Sequence, residues 1–359
     1  MSATRKRKLE HLRICLEKDV QARAVKTGFE DVQFVHRCLA NVDLEDVDTS
    51  TRFLGKEFAA PLFISAMTGG VEEAAAINAN LAEAAEKLQI GMCLGSQRAA
   101  IEDASLEHTY RVARERAPSA FLSANLGISE VLRYEPEKVR RTVEMLSADA
   151  LTIHLNPLQE FLQLEGERQA GEAAEKISAV ARLMNVPVVV KETGAGISRE
   201  DALTLRELGV RALEIAGAGG TSWAGVEYYR SLLAGDERRA ALAEAFWDWG
   251  IPTVASLLET GEVKGLEVVA SGGVRNGIQV AKALALGASL GGLAQRVLKA
   301  ATEGAAQVVA ELETMIDELR ITMALTGARS IQELRARPII ITGLTADWIR
   351  QRDIQLPRR

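Results

Sequence analysis

Short apolar runs and Ala/Leu/Glu-rich stretches alternate along most of the chain. The apolar runs are PLFISAM (61–67), IGMCLGS (90–96), AFLSANL (120–126), ALTIHLN (150–156), VPVVVKET (186–193), VRALEIAG (210–217), LEVVASGG (266–273) and ASLGGLA (288–294). Most lie roughly 30 residues apart, the length of a strand-plus-helix unit. The stretches 72–88, 136–146, 171–184, 199–209 and 276–287 are rich in good helix formers and read as helices. Several strands are apolar without alternation, as expected when helices cover one face and a packed interior fills the other. Eight units in series predict an α/β fold, a (β/α)8 TIM barrel, in preference to an open doubly wound sheet. The segment GIPTVAS (250–256) looks strand-like and would break the count of eight; it is read as the start of a helix ending near Glu259. Residues 1–58 form an N-terminal extension, 59–300 the barrel, and 301–359 a helical C-terminal extension with a bend at TGARSIQELRARP.

Composition narrows the class. The 359 residues are 47% hydrophobic and 26% charged, enough for a large core and against disorder. Aromatics are only 4%, which argues against a β-sandwich or a base-stacking platform. A net charge of −6 gives no global attraction for nucleic acid or an anionic membrane. Cys15, Cys38 and Cys93 are too few and scattered for a disulfide framework or a cysteine-rich metal site. No run has bilayer length and no signal peptide is visible, so a reducing cytoplasm is expected.

The active site of such a barrel lies at the C-terminal ends of its strands. Those ends read AMTGG, GSQR, ANLG, HLNPLQE, KETGAG, AGAGGTSW, SGGVRNG and GLAQ, rich in glycine, amides and charge. Ser271–Gly277 opens a helix after strand seven, and Leu290–Ala294, with its Gly pair, follows strand eight. Together these predict the phosphate grip of the architecture, or, more plainly, two tight turns. Lys191 ends a Val-rich strand, where burial favours an anion or electron-rich ring as its partner. Ser123 and Asn125 alternate inward, suited to a polar heterocycle or to a structural network. Thr152, His154 and Asn156 share one face, with Gln159 and Glu160 just beyond Pro157. One carboxylate is too few for a protein-only metal cage but fits Mg²⁺ shared with a diphosphate. The N-terminal run Arg5-Lys6-Arg7-Lys8 leads into a helix with Lys8 and His11 on one face, able to bring cations to a diphosphate.

Taken together, Arg7-Lys8-x-x-His11, Ala66–Gly70, Gly95–Arg98, Asn125–Gly127, His154-x-Asn156-x-x-Gln159-Glu160, Lys191-Glu192, Gly219–Ala224 and Ser271–Arg275 resemble the type 2 isopentenyl-diphosphate isomerases over essentially the whole chain. The resemblance implies an FMN-binding barrel that interconverts isopentenyl and dimethylallyl diphosphate, using reduced FMN, Mg²⁺ and NAD(P)H as reductant. It implies FMN contacts at Ala66, Met67, Thr68, Ser96, Asn125, Lys191, Thr221, Gly273, Val274, Arg275, Ala294 and Gln295. Diphosphate contacts would be Arg7, Lys8, His11, Arg98, His154 and Asn156. Gln159 would touch substrate and orient a proton, Glu160 would hold Mg²⁺, and Trp223 would line the hydrocarbon pocket. Lys191 would favour the anionic reduced ring. Family members often carry Ser where this chain has Ala216, which removes one expected hydrogen bond near FMN. The family also suggests a homo-tetramer or homo-octamer, with no nucleic-acid or membrane partner. The competing readings are an FMN-dependent hydroxy-acid oxidase and a noncatalytic phosphate-binding barrel.

Overall fold

The computed structural model describes residues 3–166 and 171–356, with side chains from Lys6 onward; Arg5 of the basic run therefore falls outside the described side chains. Eight parallel strands close on themselves: β1 (Leu62–Ile64), β2 (Gly91–Cys93), β3 (Leu122–Gly127), β4 (Ala150–His154), β5 (Val188–Lys191), β6 (Ala212–Glu214), β7 (Glu267–Ala270) and β8 (Leu290–Leu293). Each pairs with its sequence neighbour, and β8 closes onto β1 through Gly291↔Leu62 and Leu293↔Ile64. The expected strands are all present. The segment at 250–256 also behaves as expected, because Pro252 caps a helix Thr253–Gly261. Proline at that boundary has no amide to lose and a fixed φ suited to a helix start.

Both strand faces are buried, which explains the unbroken apolar runs. Outward residues such as Leu62, Ile64, Leu151 and Ile153 pack beneath the helices. Inward residues at the strand starts, among them Phe63, Phe121, Val269 and Leu290, form a separate inner core. That inner core is plugged by a hairpin of the N-terminal extension, Thr51–Phe53 against Lys56–Phe58. Leu54 and Gly55 both have positive φ, the turn whose twist suits a two-residue hairpin. Phe53 lies 5.8 Å from the ring of Phe121 and 6.1 Å from Phe58, both edge-on.

One expectation needs correcting. Gly291 and Gly292 lie within β8, not in the loop after it. A Cβ on Gly292 would come 2.6 Å from Ser271 Cβ and 3.0 Å from Ser65 Oγ, so this glycine keeps the barrel interior open. The helix after β7 also differs from a free phosphate-binding terminus. Its first amide, on Gly277, already donates to Glu318 Oε2 at 2.6 Å, and the Arg275 amide to Gln279 Oε1 at 2.7 Å.

The two extensions meet. Val32–Phe34 pairs antiparallel with Ile339–Ile341. The last helix, Gly343–Gln351, is held through Glu259, a buried carboxylate that accepts from Trp348 Nε1 at 2.7 Å and Arg352 Nε at 2.8 Å. Burial alone would raise Glu259, but Arg352, the Arg199 amide and Trp348 together hold it below the usual carboxylate range. No helix among the described residues is long and apolar enough to cross a membrane. Arg352→Ala should cost about 2 kcal/mol in a urea melt. That is less than the full penalty for stranding a buried charge, because two donors remain and Arg352 is a third exposed. An unchanged midpoint would show that the clamp adds nothing.

Candidate active site

A cavity of about 690 Å³ opens at the C-terminal ends of the strands, roofed by the N-terminal helix Ala3–Glu17. Its position follows from the period of the strands. Every second side chain points inward, so two places after the apolar floor positions Phe63, Val189, Ala212, Val269 and Leu290 come Ser65, Lys191, Glu214, Ser271 and Gly292, which line the cavity. The residues that the family resemblance implies as cofactor, substrate and metal contacts all line this space; Ser123 and Thr152, also read as inward candidates, do not.

Cations gather at two places along it. One is the loop from Gly272 to Arg275 together with the start of the helix Gln295–Glu303, which adds Arg296 and Lys299. Gly273 has φ +75°, and a Cβ there would meet Thr27 Cγ2 at 2.6 Å; only glycine lets the backbone turn this closely. Arg275 is braced by Gln21 Oε1 at 2.9 Å and by the Gly219 carbonyl at 3.2 Å. Thr221 Oγ1 donates to Gln295 Oε1 at 3.0 Å, joining the loops after β6 and β8. Ala216, the departure from the family pattern, donates its amide to Ser271 Oγ at 3.1 Å.

The second cationic group is Arg7, Lys8 and Arg98. Lys8 Nζ donates to the carbonyls of Gly69 (2.6 Å) and Ser96 (2.7 Å) and to Tyr110 Oη (2.7 Å), which ties the N-terminal helix to the barrel. Burial, then the charge of Arg7, lowers its pKa to about 7. Arg98 bridges Glu102 at 2.7 Å and Glu130 at 3.0 Å. His154 donates from Nδ1 to Asn125 Oδ1 at 2.8 Å, because Asn125 Nδ2 is already committed to the Leu94 carbonyl. That fixes the tautomer and leaves Nε2 as an acceptor. Burial, then Lys191, Lys8 and Arg7, holds the His154 pKa down at about 3, so the ring is neutral at physiological pH.

Asn156, Gln159 and Glu160 sit at the start of the helix Pro157–Leu162. The strand itself ends at His154, and Pro157 opens that helix. Asn156 Nδ2 donates to Gln159 Oε1 at 2.9 Å and to Glu160 Oε1 at 3.1 Å. Among the described residues no three His, Cys, Asp or Glu side chains cluster as a metal cage. Glu160 fits an ion shared with substrate oxygens and water. Lys191 Nζ reaches the Glu192 carbonyl at 2.6 Å. Ser123 and Thr152 satisfy each other at 2.7 Å.

Glu227 and Arg230 escaped the sequence reading. Glu227 is fully buried, accepts from His11 Nε2 at 3.0 Å and Gln159 Nε2 at 3.4 Å, and pairs with Arg230 at 2.8 Å. Arg230 in turn pairs with Glu10 at 3.1 Å. His11 also meets the Trp223 ring edge-on at 5.2 Å. The signal was present: Glu227 follows Trp223 by four on the helix Trp223–Leu233, hence on one face. The partner on the N-terminal helix was not visible, since more than 200 residues separate His11 from Glu227.

The fit to a flavin phosphate is direct. The space left by Gly292 would be closed by a Cβ, the polar layer it belongs to suits a heteroaromatic ring, and the glycine loop that carries Arg275 lines the same cavity.

Comparisons with known proteins agree. Residues 2–121 and 114–341 match the family described as FMN-dependent dehydrogenase. Relatives named isopentenyl-diphosphate delta-isomerase include one from Methanosarcina barkeri, 48% identical over 98% of this chain and 96% of its own. Another, from Methanothermobacter thermautotrophicus, is 50% identical over 97% of both chains. Among solved structures, a mandelate oxidase variant carrying an FMN adduct matches 88% of this chain and 90% of its own at TM-score 0.62 and 23% identity. A flavocytochrome b2 variant with pyruvate bound matches 97% of this chain and 86% of its own at TM-score 0.66 and 21% identity. These last two speak to the fold alone. The chain belongs to the FMN-dependent dehydrogenase family and, within it, to the isopentenyl-diphosphate delta-isomerases.

Proposed function

We propose that this protein interconverts isopentenyl diphosphate and dimethylallyl diphosphate in isoprenoid biosynthesis, with reduced FMN as cofactor. The observation that carries this reading is one cavity lined by two sets of cations: Arg275, Arg296 and Lys299 for a cofactor phosphate, and Arg7, Lys8 and Arg98 for a substrate diphosphate. Ala66, Met67, Thr68, Ser96, Asn125, Lys191, Thr221, Gly273, Val274, Ala294 and Gln295 would complete the FMN contacts. The N-terminal extension, residues 1–58, would supply the substrate-binding helix, residues 59–300 the cofactor barrel, and residues 301–359 its outer support.

The chemistry is a proton added at one end of an allylic system and removed at the other. An unactivated alkene needs a strong, well-placed acid and a dry site. Reduced flavin, when bound, supplies that acid–base capacity, which no side chain here matches. The chain's own residues bind and orient. Arg7, Lys8 and Arg98 would fix the diphosphate, and Glu160 would hold Mg²⁺ against it; Asn156 would join through the amide hydrogen that Glu160 gives up to the ion, and His154 by taking up a proton at Nε2, which the diphosphate charge favours. His11, its Nε2 held by Glu227, would approach the diphosphate, and Trp223 would line the hydrocarbon pocket under the N-terminal helix. Gln159 is aligned by Asn156 on its carbonyl and Glu227 on its amide, a fixed polar group able to orient a proton. Lys191 would favour negative charge on the ring. NAD(P)H would reduce FMN once and not be consumed per turnover. The family resemblance supports a cytoplasmic homo-tetramer or homo-octamer.

Three outcomes test this reading. Anaerobic incubation with isopentenyl diphosphate, omitting FMN, reductant or Mg²⁺ in turn, should abolish turnover in each case; isomerisation by oxidised, reductant-free protein would overturn the flavin's role. Bleaching of the flavin by lactate or glycolate would favour the hydroxy-acid oxidase reading instead. Glu160→Gln should keep the yellow colour while raising the Mg²⁺ needed for half-maximal activity by about tenfold or more, since a lost ligand costs at least what a lost outer-shell partner does. Unaltered Mg²⁺ dependence would remove Glu160 as a ligand. Proton linkage gives the third. With its pKa near 7, Lys8 is mostly neutral at pH 8 and charged at pH 6. A polyanion raises that pKa, so diphosphate binding should take up a proton at pH 8 and much less of one at pH 6. Calorimetry in buffers of different ionisation heat reads this; no buffer dependence at pH 8 rules Lys8 out.

A further inference from the structure

The inner wall of the barrel changes character within one two-residue step. Phe63, Phe121, Ala150, Ala212, Val269 and Leu290 make its apolar floor. Two residues on, the same strands or the residues just after them present Ser65, Ser123, Thr152, Glu214, Ser271 and Gly292. Most of this polar layer is satisfied. Ser123 bonds Thr152, and Ser271 accepts the Ala216 amide. Glu214 and Ser65 are the exceptions. Glu214 is 1% exposed and lines the cavity, yet neither carboxylate oxygen accepts a hydrogen bond from any described residue. Ser65 Oγ, in the same layer and cavity, is also without a partner.

Packing does not explain an acid here. The floor positions below it are filled by apolar side chains, and a buried unpaired carboxylate is among the costliest groups to keep. Its setting points to a role. Parallel pairing of β5 with β6 puts Lys191 opposite Glu214, and register partners point to the same face. Lys191 spends one of its three donors on the Glu192 carbonyl. The buried Cys93 thiol feels both groups: burial first, then the Glu214 charge, pushes it up to about 12, while Lys191 pulls it down. A cation and an anion therefore face one cavity, side by side, without forming an ion pair.

We propose that Glu214 is a positioning residue acting through charge: it offsets Lys191 and makes bound FMN harder to reduce than Lys191 alone would. This rests on the FMN reading above. Its use is balance. A reversible proton transfer works best when donor and acceptor affinities are matched, and two opposed charges set that match more finely than one.

The test is the two-electron midpoint potential of bound FMN, measured anaerobically with redox dyes, in wild type, E214Q and E214D. In E214Q the reduced cofactor should gain at least tenfold in affinity relative to the oxidised one, a rise of about 30 mV for a two-electron couple. Oxidised FMN should bind E214Q within about threefold of wild type, since the oxidised ring carries no charge for Glu214 to oppose. A potential equal to wild type, with only stability or FMN occupancy reduced, would mark Glu214 as merely structural and overturn the proposal. Should E214Q fail to fold, E214D decides: its carboxylate is drawn back by one methylene, so a smaller rise supports the proposal and an unchanged potential overturns it. A wild-type chain that takes up no FMN would overturn the function proposed above as well, whereas a yellow wild type with unshifted variants overturns this inference alone.

Discussion

Closing eight parallel strands on themselves dictates nearly everything at this site. Closure leaves no edge and forces alternate side chains into a shared interior too narrow for water at its base. The chain fills that base with phenylalanine and aliphatic residues and seals it with the Phe53/Phe58 hairpin. The next inward positions can then be polar, because a cavity opens directly above them. The glycine at 292 and the turn at Gly273 are consequences of the same closure, since each lies where another backbone or side chain has no room for a Cβ.

The N-terminal helix completes the pocket through electrostatics more than packing. It carries basic residues onto a chain that is acidic overall; the barrel meets Lys8 with carbonyls and His11 with the Glu227 carboxylate, while its own Arg230 pairs with Glu10 of the helix. Lys8 sits in a nest of backbone oxygens, and Arg230 shares Glu227 and Glu10. Such an arrangement gathers more positive charge at the mouth than isolated burial would tolerate, and an anionic ligand relieves it. The neutral ring of His154 belongs to the same field: burial first and then the surrounding cations suppress its charge, and Asn125 fixes its proton.

The barrel was readable in the chain because each strand-plus-helix unit is local. Periodicity, helix-forming runs and glycine punctuation repeat eight times, and Pro252 resolves the one ambiguous segment. The residues at the strand ends were readable for the same reason, since direction along a strand and the two-residue period follow from nearby sequence. Lys191, Asn125 and His154 emerge where that rule places them. The Gly291–Gly292 pair did not, because glycine signals a turn in isolation and only the neighbouring Ser271 and Val280 show that it serves a strand interior.

By itself, then, the sequence determined the fold class, the mouth of the barrel and the chemical types gathered there, since these depend on short-range pattern. Tertiary structure alone decided which groups meet. Glu227 joins His11 and Gln159 across more than 200 residues in one case and 68 in the other, Arg352 reaches Glu259 across 93, and Glu214 stands opposite Lys191 without a bond. Charge compensation is a property of distance in space, and chain closure, not sequence spacing, sets that distance.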